Sequence, residues 1–224
     1  MQYILLLLWV LIGCQSTLPA RTYENDLKQY ILKPMESIGT ARTYALQRDS
    51  LLNILQSSQP VEDLYSQDET YDIVIDFFTD ITGSEEIAIL VCSYAYRYRV
   101  PILTAFSLAA IESQYNIHAT NKNATSTDRG LFQLNSRTFR HMRPEDFFDL
   151  ETNIHHGIAY LRECMNKTDD IAVALAIYNA GAYRVLNGLT PQTTERHVTR
   201  IQKFEEELFA SFSSFVLDHI DIQS

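Results

Sequence analysis

Glu112 closes the run Pro101-Ile-Leu-Thr-Ala-Phe-Ser-Leu-Ala-Ala-Ile111, which reads as a helix with the proline in its first turn and apolar nearly all round. A carboxylate at that point is disfavoured as an anion by burial and by the negative end of the helix dipole. Both effects favour keeping its proton, as a general acid working near neutral pH must. The pattern fades over Ser113-Gln-Tyr-Asn116, and residues 121–128 (Asn-Lys-Asn-Ala-Thr-Ser-Thr-Asp) are polar and turn-rich, predicting a loop. Gly130-Leu-Phe-Gln133 then sets a glutamine among apolar residues. Buried polar side chains need partners, so Gln133 either satisfies nearby backbone or points into a cleft. An acid at a helix end, a polar loop and this return would make a site for a polar, hydrogen-bonding ligand.

The elements around these residues read as helices. The chain has 224 residues, enough for one or two domains, with 46% hydrophobic and 21% charged residues. Few Gly and Pro among long apolar-periodic stretches predict a mostly α fold. The net charge of −10 excludes the basic face of a nucleic-acid binder. Residues 22–32, 40–55 and 70–82 show helical spacing, separated by Pro34 and by Ser57-Ser-Gln-Pro60. They predict a small helical N-terminal region over 15–82, either separate or packed on the rest. Ser84-Glu-Glu86 reads as a helix start, and residues 149–165 as another helix. Asp169-Asp170 cap an apolar helix that ends at Asn179-Ala-Gly181, with the glycine as a left-handed C-cap. Residues 195–215 form a last amphipathic helix, followed by a tail to residue 224.

The first fourteen residues differ in kind. Their apolar run is too short to span a bilayer and has the length of an export-signal core. Leu11-Ile-Gly-Cys14 resembles the bacterial lipobox, which implies an exported chain lipidated at Cys14, although no Lys or Arg precedes the run. Cys92 and Cys164 then remain, either as a disulfide or as two buried thiols.

Glu112-Ser113, Gly130-Leu-Phe-Gln133 and Ala176-Ile-Tyr-Asn-Ala-Gly181 together resemble, in order and spacing, the lytic transglycosylase domain related to goose-type lysozyme. Tyr98-Arg-Val-Pro-Ile-Leu103, Asn153, Gly157 and Tyr160-Leu161 fit the same pattern, and the resemblance covers residues 83–205. It implies a mostly α, lysozyme-like domain that cleaves the MurNAc–GlcNAc β-1,4 bond of peptidoglycan glycan strands and leaves 1,6-anhydro-MurNAc ends. Glu112 falls on the catalytic acid, and no cofactor or metal is implied. Gln133 and Tyr178 fall on positions lining the cleft, and Asn121 on one that reaches a sugar substituent. Ser113 and Asn179 complete this substrate-binding set as supports for the catalytic helix and loop. Three departures stand out: Phe132 replaces a Met, Ala182-Tyr183 replaces a Pro-Gly, and Thr193-Thr-Glu-Arg-His-Val198 replaces Glu-Thr-x-x-Tyr-Val. The last removes a glutamate and a tyrosine from the cleft edge.

A second resemblance, to c-type lysozyme, runs through Glu112-Ser-Gln-Tyr-Asn116, Ala119-Thr-Asn-Lys-Asn123, Ser126-Thr-Asp128 and Gly130 to Arg137. It implies a retaining hydrolase with Asp128 as second carboxylate, about 5 Å from the acid. Four disulfides belong to that family, and three cysteines cannot form them. A third possibility is a catalytically weak wall-binding scaffold, and the chain leaves protein partners unspecified. His155-His156 point roughly 100° apart on a helix and make a poor metal pair. Asn123-Ala-Thr and Asn166-Lys-Thr are glycosylation sequons without meaning in a bacterial chain.

Overall fold

The computed structural model describes residues 48–219. The N-terminal segment with Cys14, the helix read over residues 22–32 and the last five residues lie outside them. The fold is mostly α, with nine α-helices among the described residues.

The helix carrying Glu112 is its centre. We number the helices α1 (Arg48–Leu55), α2 (Pro60–Tyr65), α3 (Tyr71–Thr82), α4 (Glu85–Tyr98) and α5 (Ile102–Ser113). α5 buries side chains on every face, from Ile102 to Ile111, as a helix apolar all round must. Pro101 sits at its N-cap and supplies no side-chain hydrogen bond. Instead the Glu62 carboxylate of α2 accepts from the Ile102 N–H at 2.6 Å, an acid at the positive end of the helix dipole. At the other end Gln114 and Tyr115 are both left-handed, with φ of 56° and 59°, so the chain turns sharply after Glu112.

The polar stretch read as a loop is a hairpin. β1 (Thr120–Lys122) pairs antiparallel with β2 (Thr127–Arg129), and β3 (Leu134–Asn135) adds on β2. Strands this short carry no apolar alternation, so periodicity cannot reveal them. A 3₁₀ turn at Asp146–Phe148 leads to α6 (Leu150–Met165), whose N-cap Asp149 accepts from Thr152 N–H. α7 (Ile171–Ala180) is capped by Asp170 as expected. Gly181 has positive φ but an extended ψ of 145°, so it is not a left-handed cap. It joins α7 to α8 (Ala182–Leu186), a helix not foreseen, and α9 (Gln192–His219) begins earlier and ends later than expected.

α9 and α4 pack along α5, and α7 lies between α6 and α9. Phe78 of α3 stacks on Phe106 of α5 at 3.7 Å between ring centroids, and Phe77 meets Phe212 and Phe215 of α9. Leu51, Val61 and Leu64 of α1 and α2 are buried in the same core. Pro60, read as a separator, opens α2, where its fixed φ suits the first helical turn. Cys92 and Cys164 are buried free thiols.

Candidate active site

Four pieces of backbone meet near Glu112: the end of α5, the β1–β2 hairpin, the Gly130–Gln133 turn and the start of α9. The turn is built first. Asn153 of α6 is buried and spends its whole amide on it. Its Oδ1 accepts from Phe132 N–H at 2.8 Å, and its Nδ2 donates to Arg129 O and Phe147 O. Gly130 has φ of 77°, and a Cβ there would strike the Asn153 amide and Phe147 O. Gly157, one turn along α6, leaves room for the Phe132 ring in the same way. The fixed turn holds Gln133 in the left-handed region at φ 46°. Of the two roles open to it, Gln133 takes the backbone: its Nε2 donates to Ala119 O and Gly130 O.

Tyr178 of α7 donates its hydroxyl to Phe132 O at 2.8 Å. Burial pushes this phenol well above its ordinary range, and the Glu112 and Asp128 carboxyls push it further. Tyr178 is therefore a neutral donor within the electrostatic reach of both acids.

Asp128 on β2 is clamped by amides. Asn135 Nδ2 donates to Oδ1 at 2.6 Å and Asn123 Nδ2 donates to Oδ2 at 2.7 Å. Asn121 faces Asp128 in the hairpin register and assists. Burial nonetheless raises the carboxyl above the usual Asp range, against the amides and with the Glu112 charge adding. Asn123 and Asn135, to which the sequence reading gave no role here, are thus part of the site.

Glu112 itself meets a residue that sequence reasoning passed over. His197 Nε2 lies 3.1 Å from Glu112 Oε1, with the two side chains only 17% and 14% exposed. The sequence signal was present, since His197 stands where the family pattern has a tyrosine, but it was read as a lost contact. Ser113 donates to Ala109 O within α5. Asn179 accepts from Thr194 Oγ1 at 2.8 Å, tying the end of α7 to the first turn of α9. So Glu112, Asp128, Tyr178 and Asn121 gather in one place, Gln133 shapes the turn beside them, and Ser113 and Asn179 brace helices. His155 instead bonds Tyr98, away from this site. Among the described residues, no group of three His, Cys, Asp or Glu could hold a metal ion.

What this arrangement offers chemically is one carboxyl beside an imidazole, a second carboxyl hydrogen-bonded to amides and a neutral phenol. No curated protein matches the chain. Residues 90–197 match the transglycosylase SLT domain. The match runs from the helix before α5 to the histidine that touches Glu112, and it supports a domain of the lytic transglycosylase type, which cleaves peptidoglycan, over this part of the chain.

Proposed function

We propose that the protein cleaves the MurNAc–GlcNAc β-1,4 bond without water and leaves 1,6-anhydro-MurNAc ends, with Glu112 as both acid and base. Glu112 gives its proton to the glycosidic oxygen as the C1–O bond breaks. The resulting carboxylate takes the proton of the C6 hydroxyl, whose oxygen closes on C1 of the same sugar, and Glu112 regains its starting state. The observation that carries this reading is the isolation of Glu112: a carboxyl at a buried helix end beside an imidazole, with the neighbouring acid already engaged by amides. Tyr178 and Asn121 border the reacting sugar, Gln133 shapes its wall, and Ser113 and Asn179 hold the frame.

The same neighbourhood favours one second reading. Asp128 lies close enough to feel the Glu112 charge, and a polar, hydrogen-bonded carboxylate beside a buried acid suits a retaining hydrolase. The lipobox-like Leu11-Ile-Gly-Cys14 supports export and lipid anchoring at Cys14, on the periplasmic face of a bacterial membrane. Among the described residues no helix is long and apolar enough to cross a membrane. If Cys14 is the anchor, Cys14→Ser moves the protein from the membrane to the soluble fraction.

Incubation with purified peptidoglycan tests the central role. The native protein releases soluble glycan fragments and Glu112→Gln, equally folded by circular dichroism, releases none. Fragment release by that variant would remove Glu112 from the mechanism.

A further inference from the structure

His197 is not a bystander to the acid. A carboxyl oxygen and an imidazole nitrogen 3.1 Å apart cannot both present lone pairs, so one hydrogen lies between Oε1 and Nε2. Both side chains are largely withdrawn from water, where such a contact is stronger than on a surface. The contact joins residues 85 apart in sequence and is made at the end of α5, where helix geometry alone does not fix the carboxyl's rotation.

We propose that His197 is the positioning residue of the acid: it donates from Nε2 to Oε1, fixes the rotation of the carboxyl and leaves Oε2 to exchange protons with the sugar. The inference rests on the transglycosylase reading of the same site. In the neutral form His197 donates from Nε2 to Oε1, and the acid proton sits on Oε2. When Oε2–H passes its proton to the glycosidic oxygen, the new carboxylate is met by a donor already in place, and a hydrogen bond to an anion is stronger than one to a neutral acid. Oε2 then takes the C6 hydroxyl proton, and no proton is lost or gained overall.

A tyrosine at this position, where the family pattern has one, would donate to Oε1 in the same way. Around the pair stand Asp128 of the hairpin and Tyr178 of α7, both within reach of the Glu112 charge.

The test is kcat and KM on soluble, uncrosslinked glycan strands for the native protein, His197→Ala, His197→Gln and His197→Tyr, all checked for folding by circular dichroism. Glutamine and tyrosine can still donate to Oε1, and alanine cannot. The expected result is an unchanged KM, with kcat lowered about tenfold or more in His197→Ala and restored to within a few-fold of native by at least one of the two donor variants. A His197→Ala protein with native kcat, or donor variants as slow as His197→Ala, overturns the proposal. His197→Phe, which fills the space without a donor, provides the reading if His197→Ala fails to fold. A native protein that releases nothing refutes the transglycosylase reading itself, whereas an active native protein whose donor-free variant keeps its rate refutes only the role of His197.

Discussion

A carboxylate that attacks a sugar must turn a free lone pair towards C1, and the two acids of this site differ on that point. Asp128 has Asn135 on one oxygen and Asn123 on the other. Freeing either oxygen would strip a partly buried carboxyl of a charge-assisted bond. Among the described residues, Glu112 has a hydrogen-bond partner on Oε1 alone, His197. Under the transglycosylase reading Asp128 serves to hold the hairpin and β3 together. Asp128→Asn should keep product formation within a few-fold of the native protein in the fragment-release assay. A loss as deep as that of Glu112→Gln would place Asp128 in the reaction and favour the hydrolase.

At the scale of elements, the site depends on how closely α6 approaches the Gly130–Gln133 turn. A Cβ at Gly157 would come within 2.4 Å of the Phe132 ring. That ring cannot simply move, because Phe132 is tied through its N–H to Asn153 and through its carbonyl to Tyr178. Gly157→Ala should lower stability by about 1–3 kcal/mol, the usual range for overpacking. It should also lower kcat more than KM by shifting Tyr178 and Gln133 together. Denaturant melts and kinetics on soluble strands check both, and a variant of native stability and rate would show the contact to be slack. The elements also show which parts of the chain speak locally. The end of α5 was legible because an apolar run closed by a lone acid is a pattern within one helix. The caps Ser84 and Asp170 were legible for the same reason. The hairpin was not, since its residues are chosen for the Asn–Asp network rather than for a buried face. α2 and α8 were missed because six and five residues are too few to show a helical period. His197 is a long-range case: one polar residue on a long amphipathic helix looks like solvent-facing decoration until α9 is laid on α5.

Across the whole molecule, α9 holds both ends of the catalytic helix. His197 meets Glu112 at its C-terminal end, and Glu205 accepts from Thr104 Oγ1 at 3.0 Å near its start. Glu62 of α2, outside the matched domain, caps the same start. Burial raises the Glu205 carboxyl, the Thr104 bond opposes, and the charges of Glu62 and Glu206 add to the rise. The folded protein therefore binds this proton more tightly than the unfolded chain. The stability it contributes is complete below the ordinary Glu range and is lost as pH rises through the folded value. At neutral pH the ionised group opposes folding. Glu205→Gln keeps an acceptor for Thr104 and removes the charge. It should raise Tm by about 2 °C or more at neutral pH and leave Tm unchanged near pH 4, by calorimetry. A lower Tm at neutral pH would mean that the charge itself holds α9 to α5.

The central claim is that Glu112 works alone and that the sugar's own C6 hydroxyl replaces water. The most direct measurement is mass spectrometry of the muropeptides released by the native protein in oxygen-18-labelled water. The account predicts MurNAc ends lighter by one water than reducing ends, with no label in the product. Reducing ends carrying the heavy oxygen would contradict it and identify a hydrolase.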